Sequence, residues 1–302
     1  MVSQTVKDLT SGTAGGVAQV LVGQPFDLVK VRMQTSPPGT YKSVLECAAL
    51  VVKNEGPLAF YKGTLTPLLG IGLCVSIQFA ALNSTKRYFS ERNGPGKDLG
   101  YGQLFTAGVA AGLANSVIAG PVEHIRIRLQ TQPNVTPKLY LGPWDCAKKL
   151  YAHNGLQGIF KGQVPTLIRE GLGYGAYFCA YEALVQRHIN STGLKREEIT
   201  SGYTVLYGAA AGYALWGCIY PIDVIKSKLQ TDSFTASTGQ KYTSSLDCFR
   251  KVWAKEGVSG FTRGLGPTLI RSPFSNGATF IGYELMMGFL TRRESDGTVA
   301  SA

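Results

Sequence analysis

The stretch PFDLVKVRMQ, residues 25–34, places an acid and then bases directly after a proline that ends a long apolar run. The same pattern returns as PVEHIRIRLQ at 121–130 and PIDVIKSKLQ at 221–230. A second motif follows each copy: EGPLAFYKG at 55–63, NGLQGIFKG at 154–162 and EGVSGFTRG at 256–264. Two motifs that recur in the same order, about a hundred residues apart, indicate a tandem repeat. We predict three repeats, at residues 1–97, 98–197 and 198–302, that together form one structural domain.

The composition favours a membrane protein over a soluble one. Charged residues make up 16% of the chain, below the roughly 25% that is typical of soluble domains. Long uncharged stretches cover residues 64–85, 104–122 and 203–222, and each repeat contains two mostly apolar segments broken by Gly and Pro, which membrane helices tolerate. The sequence therefore predicts an all-α membrane protein with six transmembrane helices in three pseudo-threefold repeats.

The net charge of +11 raises the question of an anionic partner. The basic residues lie mainly at segment ends and in loops, without a basic stripe or a known nucleic-acid motif, so we expect anionic lipid and an anionic or zwitterionic solute and no nucleic acid. The sequence contains no recognisable nucleophile–base set and no CxxC metal spacing. We therefore predict that the protein is not an enzyme and carries no cofactor or metal.

The acid and the base after each proline share one helix face, because they are three residues apart. Charges in apolar surroundings are costly unless they pair or face water. Threefold symmetry would let each acid meet the base of the next repeat, which predicts the pairs Asp27–Arg126, Glu123–Lys226 and Asp223–Lys30. One turn further along, a glutamine is expected to hydrogen-bond each pair: Gln34, Gln130 and Gln230. Because buried ion pairs are poor stabilisers, we interpret the three pairs as a gate that closes one end of a central cavity.

An asymmetric solute requires asymmetric contacts, and these appear seven residues after each second motif. The equivalent dipeptides are Gly70–Ile71, Arg169–Glu170 and Arg271–Ser272. Adjacent helical residues point about 100° apart, so we expect Arg169 and Glu170 to pair poorly with each other and to face a zwitterion. Arg169 would take its carboxylate, Glu170 its ammonium, and Arg271 a second anionic group or the cavity wall. Gly70–Ile71 would give a small apolar contact. Structural neutralisation of Arg169 by Glu170 is the alternative.

The pattern Px[DE]xx[KR]x[KR] followed by [DE]Gxxxx[FWY][KR]G, three times over nearly the whole chain, resembles the mitochondrial carrier family. The resemblance implies a multi-pass protein of the mitochondrial inner membrane with a water-filled cavity and the proline gate on the matrix side. It implies three short amphipathic matrix helices, near 43–54, 143–154 and 244–255, and cardiolipin at the membrane-facing seams. Asn154 and Thr262 depart from the motif, at the acid and the aromatic position respectively.

The family's second gate, on the cytosolic side, has the pattern [FY][DE]xx[RK], and here it is reduced to Lys86, Glu182 and Glu284. We predict at most one ion pair there, between Lys86 and one of the glutamates, and a resting state closed on the matrix side. An Arg followed by Glu on the fourth helix is similar to the amino-acid, carnitine and ornithine carriers. The resemblance implies a monomer that exchanges zwitterionic or basic amino acids by alternating access, with carnitine or acylcarnitine as the alternative solute.

Overall fold

Six long helices make up most of the structure, which is a computed structural model that describes residues 4–94, 99–133, 137–234 and 239–299. Their lengths run from 29 to 35 residues, which at 1.5 Å per residue exceeds the roughly 30 Å of a membrane's hydrocarbon core. The long helices are α1 (Gln4–Thr35), α3 (Leu65–Asn93), α4 (Tyr101–Thr131), α6 (Gln163–Thr192), α7 (Ser201–Thr231) and α9 (Leu265–Val299). Within the part of the chain that the structure describes, three segments are long and apolar enough to cross a membrane by length and composition alone: Pro57–Asn93, Tyr101–Thr131 and Gly202–Thr231.

Three shorter helices lie where the amphipathic helices were predicted: α2 (Val44–Glu55), α5 (Pro143–Ile159) and α8 (Ser245–Thr262). Ser43 and Ser244 cap α2 and α8, and each hydroxyl accepts a hydrogen bond of 3.1 Å from the backbone N–H three residues on, which satisfies an otherwise unpaired helix donor. In α5 and α8 the backbone leaves the helical conformation at Gly155 and Gly257. Helical turns resume beyond these glycines, so both elements run past their predicted ends.

Each short helix carries a fully buried cysteine, at Cys47, Cys146 and Cys248. Cys248 packs with Ile225 and Leu229 of α7, and Cys146 with Leu129 of α4. Burial raises the pKa of the Cys47 thiol to about 11 and of the other two to about 12. All three cysteines are free, as threefold separation requires. Their thiols are therefore protonated, inaccessible core groups.

The long helices pack side by side in a ring, with extensive contacts between α1 and α9, α3 and α4, α4 and α6, and α6 and α7, and small ones between α1 and α3 and between α7 and α9. Glycine permits the closest of these approaches: a Cβ built on Gly112 of α4 would lie 2.3 Å from the backbone oxygen of Glu170 on α6. The prediction of an all-α bundle built from three helix pairs is confirmed. The prolines lie inside α1, α4 and α7, and the charged motifs that follow them meet at one end of the ring, called here the proline end.

Candidate functional site

Three ion pairs cross between repeats at the proline end. Arg126 lies 2.7 Å from Asp27 and Lys30 lies 2.8 Å from Asp223, while Lys226 contacts Glu123. In each case the acid of one repeat meets a base of another, in the arrangement expected from threefold symmetry. All six side chains lie in α1, α4 and α7, so the pairs tie these helices together across the axis. We call them the ion-pair layer.

Two arginines outside the repeat motif join this layer. Arg169 on α6 lies 2.6 Å from Glu123 and also contacts Glu170. Arg271 on α9 lies 3.0 Å from Asp27. The acids of the layer are thus shared between the symmetric bases and two cations that have no equivalent in the first repeat, where Gly70 occupies the position.

A cavity of about 160 Å³ is lined by the layer and by both arginines. Its ionisable lining consists of five basic and three acidic side chains: Lys30, Arg126, Arg169, Lys226 and Arg271 with Asp27, Glu123 and Asp223. Glu170, behind Arg169, supplies a fourth acid. One positive charge therefore remains in excess at this depth, which attracts a solute that carries a carboxylate.

A second and larger cavity, of about 570 Å³, lies on the other side of Arg271. Tyr174, Tyr177, Phe178 and Tyr181 form one aromatic wall on α6, with neighbouring ring centroids 5.5–6.4 Å apart. The remaining lining includes Trp216, Arg271, Ser272, Ser275 and Asn276. Arg271 and Trp216 line both cavities. The arrangement is a vestibule with aromatic walls whose floor is the ion-pair layer.

Comparison with known sequences agrees with this geometry. A family model described as "Mitochondrial carrier protein" matches residues 2–93, 97–191 and 197–294. The chain belongs to the mitochondrial carrier family. It is therefore a six-helix, multi-pass protein of the mitochondrial inner membrane, and the family is one of transporters rather than enzymes.

Carriers with named solutes are among its relatives. The glutamate/glycine mitochondrial carrier of Schizosaccharomyces pombe is 48% identical over 93% of this chain and 94% of the relative. The mitochondrial glycine transporter of Saccharomyces cerevisiae is 46% identical over 95% of this chain and 92% of its own length. The mitochondrial basic amino acids transporter of Bos taurus is 36% identical over 98% of this chain and 96% of its own.

The carrier's fourth long helix, α6, differs from the sequence expectation at Arg169–Glu170. These neighbours do pair, and Asn115 of α4 donates a hydrogen bond of 3.0 Å to the second oxygen of Glu170. The sequence argument considered only the direction in which each side chain leaves its Cα. Both side chains are long and flexible, so they can bend towards each other and pair. Glu170 is 7% exposed and lines neither cavity. The expectation that Glu170 faces the vestibule is wrong for this conformation.

Gly70 and Ile71 also lie away from the vestibule. A Cβ on Gly70 would meet the side chain of Val122 on α4 at 3.2 Å, and Ile71 packs against Gly16 of α1. Neither residue lines the two cavities. Both are therefore helix-packing positions here, whereas Arg271 and Ser272, from the equivalent site on α9, do face the vestibule.

Only one of the three glutamines binds an ion pair. Gln34 donates hydrogen bonds of 3.0 Å to Asp223 and 3.1 Å to the Tyr220 hydroxyl. Within the described residues, the amide nitrogens of Gln130 and Gln230 have no hydrogen-bond partner. The glutamines share a different contact, because each lies across the glycine that ends another repeat's second motif. That glycine has φ near +80° in every repeat, a conformation that favours glycine.

Two residues directly before the prolines, Gln24 and Tyr220, make contacts that the repeated motifs do not predict. Gln24 accepts a hydrogen bond from Arg126 and donates one of 2.7 Å to the carbonyl of Lys62. Tyr220 donates one of 2.8 Å to the carbonyl of Arg263. The third equivalent position is Gly120, so this position differs in all three repeats and no motif could reveal its role.

A second layer of charges links the short helices to the proline motifs. In the first repeat, Glu55 contacts both Arg32 and Lys62; in the third, Glu256 lies 2.7 Å from Lys228 and 3.2 Å from Arg263. Burial disfavours ionisation of Glu55, but hydrogen bonds from its two partners outweigh burial and lower its pKa to about 2. Each acid therefore clamps a matrix helix to a long helix.

The second repeat replaces this clamp, because Asn154 occupies the acid's position. Arg128 and Lys161 instead donate hydrogen bonds of 2.6 and 2.9 Å to the carbonyl of Asp232, just beyond α7. Both cations also lie over the ring of Phe234, within 4.9 Å of its centroid. Burial lowers the pKa of Lys161 to about 8, although Asp232 opposes that shift. A segment of the third repeat thus substitutes for the missing carboxylate.

The predicted ion pair at the end opposite the prolines is not formed. Glu182 pairs with Arg196, at 2.7 Å, in the connection that follows its own helix. Lys86 lies 5.7 Å from the ring centroid of Phe178, and within the described residues neither Lys86 nor Glu284 takes part in an ion pair. Arg196 is close to Glu182 along the chain and so competes with any cation from another repeat. The carrier is therefore closed at the proline end, whereas within the described residues Lys86, Glu182 and Glu284 form no ion pair between repeats at the other end.

Proposed function

We propose that this carrier exchanges amino acids across the mitochondrial inner membrane by alternating access. The main support for this proposal is the asymmetric vestibule. One surplus positive charge lies at its floor, next to the ion-pair layer that closes it. The names of the relatives at 48% and 46% identity, which specify glutamate and glycine, support the same class of solute. A surplus cation favours zwitterionic and acidic amino acids over basic ones.

In this proposal Arg271 and Ser272 hold the solute's α-carboxylate. A guanidinium suits a carboxylate because its planar fork can donate two parallel hydrogen bonds. The ammonium would face the aromatic wall of α6, where Tyr174 and Tyr177 offer ring faces to a cation. Arg169 is neutralised by Glu170 and Glu123. It would therefore contribute to the electrostatic potential at the vestibule floor and would not be the group that the solute contacts first.

Opening towards the matrix requires the ion-pair layer to separate. The layer, formed by Asp27, Lys30, Glu123, Arg126, Asp223 and Lys226, would act as the matrix gate, and Lys86, Glu182 and Glu284 as a weak gate at the other end. A solute shifts this equilibrium only through its differential affinity for the two states. An empty carrier therefore keeps its ion pairs and switches slowly, which favours exchange over net flow.

We further propose that anionic lipid, with cardiolipin as the expected species, binds at the seam between the first two repeats, and that the carrier works as a monomer. A cavity of about 190 Å³ there is lined by Lys62, Gly63 and Lys138 among others. Gly63 lies just before α3, and the N-terminus of a helix suits a phosphate.

The test is uptake into liposomes that are either empty or preloaded with single solutes: glycine, glutamate, ornithine or carnitine. We expect fast uptake of glycine or glutamate only into liposomes preloaded with an amino acid. Replacing Arg271→Gln should reduce kcat/KM roughly 10- to 100-fold, as expected for loss of a charged hydrogen bond. Arg187→Gln, at an exposed arginine of α6, is the matched control and should leave uptake unchanged.

Two outcomes would contradict the proposal: uptake into empty liposomes as fast as into preloaded ones, or no amino-acid uptake at all. Preference for carnitine would instead support carnitine or acylcarnitine as the solute. The aromatic wall of α6 is compatible with that alternative, because quaternary ammonium groups bind well to aromatic faces.

A further inference from the structure

Arg271 lies at the boundary between the gate and the vestibule. Its Nε lies 3.0 Å from Asp27, as an ion pair without hydrogen-bond geometry, and its side chain, 24% exposed, lines the vestibule as well. The contact joins α9 to α1, which no symmetric ion pair does. Arg271 is therefore both an extra tie across the closed gate and the guanidinium that an incoming carboxylate meets.

Asp27 is the acid at which the surplus positive charge lies. One oxygen is 2.7 Å from Arg126 and the other 3.0 Å from Arg271, so two guanidiniums share one carboxylate. At the Glu123 corner, by contrast, Lys226 and Arg169 share two acids, because Glu170 is also present. A carboxylate that approaches Arg271 therefore competes with Asp27, an acid that keeps Arg126 as its partner when Arg271 leaves.

Gly23 on α1 has no side chain and so leaves the space in which Arg271 reaches Asp27. A Cβ built on Gly23 would lie 2.8 Å from Arg271 Nε and 2.8 Å from the hydroxyl of Ser275, closer than real Cβ atoms approach other atoms. The equivalent positions, two residues before the other prolines, are Ala119 and Ile219. Only the first repeat thus lacks a side chain here, and it is the repeat whose acid receives the extra arginine.

We propose that Arg271 is shared between Asp27 and the solute's carboxylate, and that Gly23 is the positioning residue that makes this sharing possible. The proposal rests on the function proposed above. In the empty carrier Arg271 ties α9 to Asp27; a bound carboxylate takes the guanidinium over and removes that tie. Solute binding and loosening of the gate are then one event, because they use the same cation.

The test compares Gly23→Ala with Gly12→Ala in the purified full-length carrier. Both changes lie in α1 and add the same methyl group, but a Cβ at Gly12 meets nothing within 4 Å. In Gly23→Ala the added methyl group displaces the guanidinium of Arg271 from Asp27. The solute's carboxylate then binds Arg271 without first breaking that ion pair. We expect the KM for the transported amino acid to fall about five-fold relative to Gly12→Ala, the effect expected from a partly exposed ion pair.

Thermal unfolding gives a second readout. Without solute, Gly23→Ala should unfold at a lower temperature than Gly12→Ala, and saturating amino acid should remove the difference, because the loaded carrier has no tie to lose. Equal KM values in the two variants, or a higher KM in Gly23→Ala, would overturn the proposal. If Gly23→Ala does not fold, Asp27→Asn replaces it, and an unchanged KM in that variant is equally decisive against sharing.

Failure of the proposed function has a different signature. It would appear as wild-type carrier that takes up no amino acid. The same KM and unfolding comparisons are then made with carnitine, which also carries a carboxylate, and their outcome decides the sharing of Arg271 independently.

Discussion

Replacement of Glu170 by glutamine distinguishes a solute-binding role from a structural one. Glutamine keeps the shape of the side chain and can still accept the hydrogen bond from Asn115, but it removes the negative charge beside Arg169. Arg169 is 9% exposed and retains Glu123 at 2.6 Å. Removing one partner of a buried pair costs about 3–5 kcal/mol. Since one partner remains, we expect a loss near the lower end, about 3 kcal/mol of unfolding free energy.

The assay is thermal unfolding followed with a thiol-reactive dye: the exposed Cys218 reacts in the folded state and sets the baseline, and the further rise in signal reports exposure of the buried Cys47, Cys146 and Cys248. For a chain of this size, about 3 kcal/mol corresponds to a fall of about 6 °C in the unfolding temperature. The matched control is Glu182→Gln on the same helix. Its partner Arg196 has a side chain 56% exposed, so its loss should cost less than about 1 kcal/mol.

Transport kinetics complete the test. Because Glu170 lines neither cavity, we expect the KM of Glu170→Gln to stay within about two-fold of wild type. A KM raised tenfold or more, with an unfolding temperature equal to that of Glu182→Gln, would refute the structural role. It would show that Glu170 turns towards the ammonium of the solute, as the sequence alone had suggested.

Three further predictions concern packing, pH and a cation–π contact. Gly112→Ala should abolish folding of the carrier, because its Cβ would lie 2.3 Å from the α6 backbone; Gly102→Ala, with open space around it, should fold and elute normally in size-exclusion chromatography. Glu55→Gln should lower the unfolding free energy by about 2 kcal/mol at neutral pH. The Glu55 pKa is lowered from 4.5 to about 2, so the difference from wild type should persist above pH 4.5 and shrink as the pH falls towards 2; a constant difference would contradict the clamp. Trp216→Leu should cost about 1 kcal/mol, because Lys30 lies 4.4 Å above its ring; a double-mutant cycle with Lys30→Met that finds no coupling would exclude the contact.

Much of the architecture could be predicted because it repeats. The period of about a hundred residues fixes three equivalent units, and an acid and base three residues apart must share a helix face. Symmetry then leaves few ways to pair Asp27, Glu123 and Asp223 with bases, and the structure forms those pairs.

Residues outside the repeat pattern could not be placed in this way. Nothing in the sequence indicates that Arg196 reaches Glu182 before Lys86 can, or that Phe234 and the carbonyl of Asp232 replace the acid missing at Asn154. Such contacts depend on the reach of long side chains and on the course of connecting segments, which spacing does not encode.

The sequence by itself determined the fold, the symmetric charge layer and the two asymmetric dipeptides on α6 and α9. Only the tertiary structure decided that Glu170 is bound to Arg169 and Asn115, while Arg271 lies between Asp27 and the vestibule. The physical reason is that a repeated motif sets which backbone positions face the axis. The local packing around each side chain, such as the gap that Gly23 leaves, sets which of several nearby partners a charge finally meets.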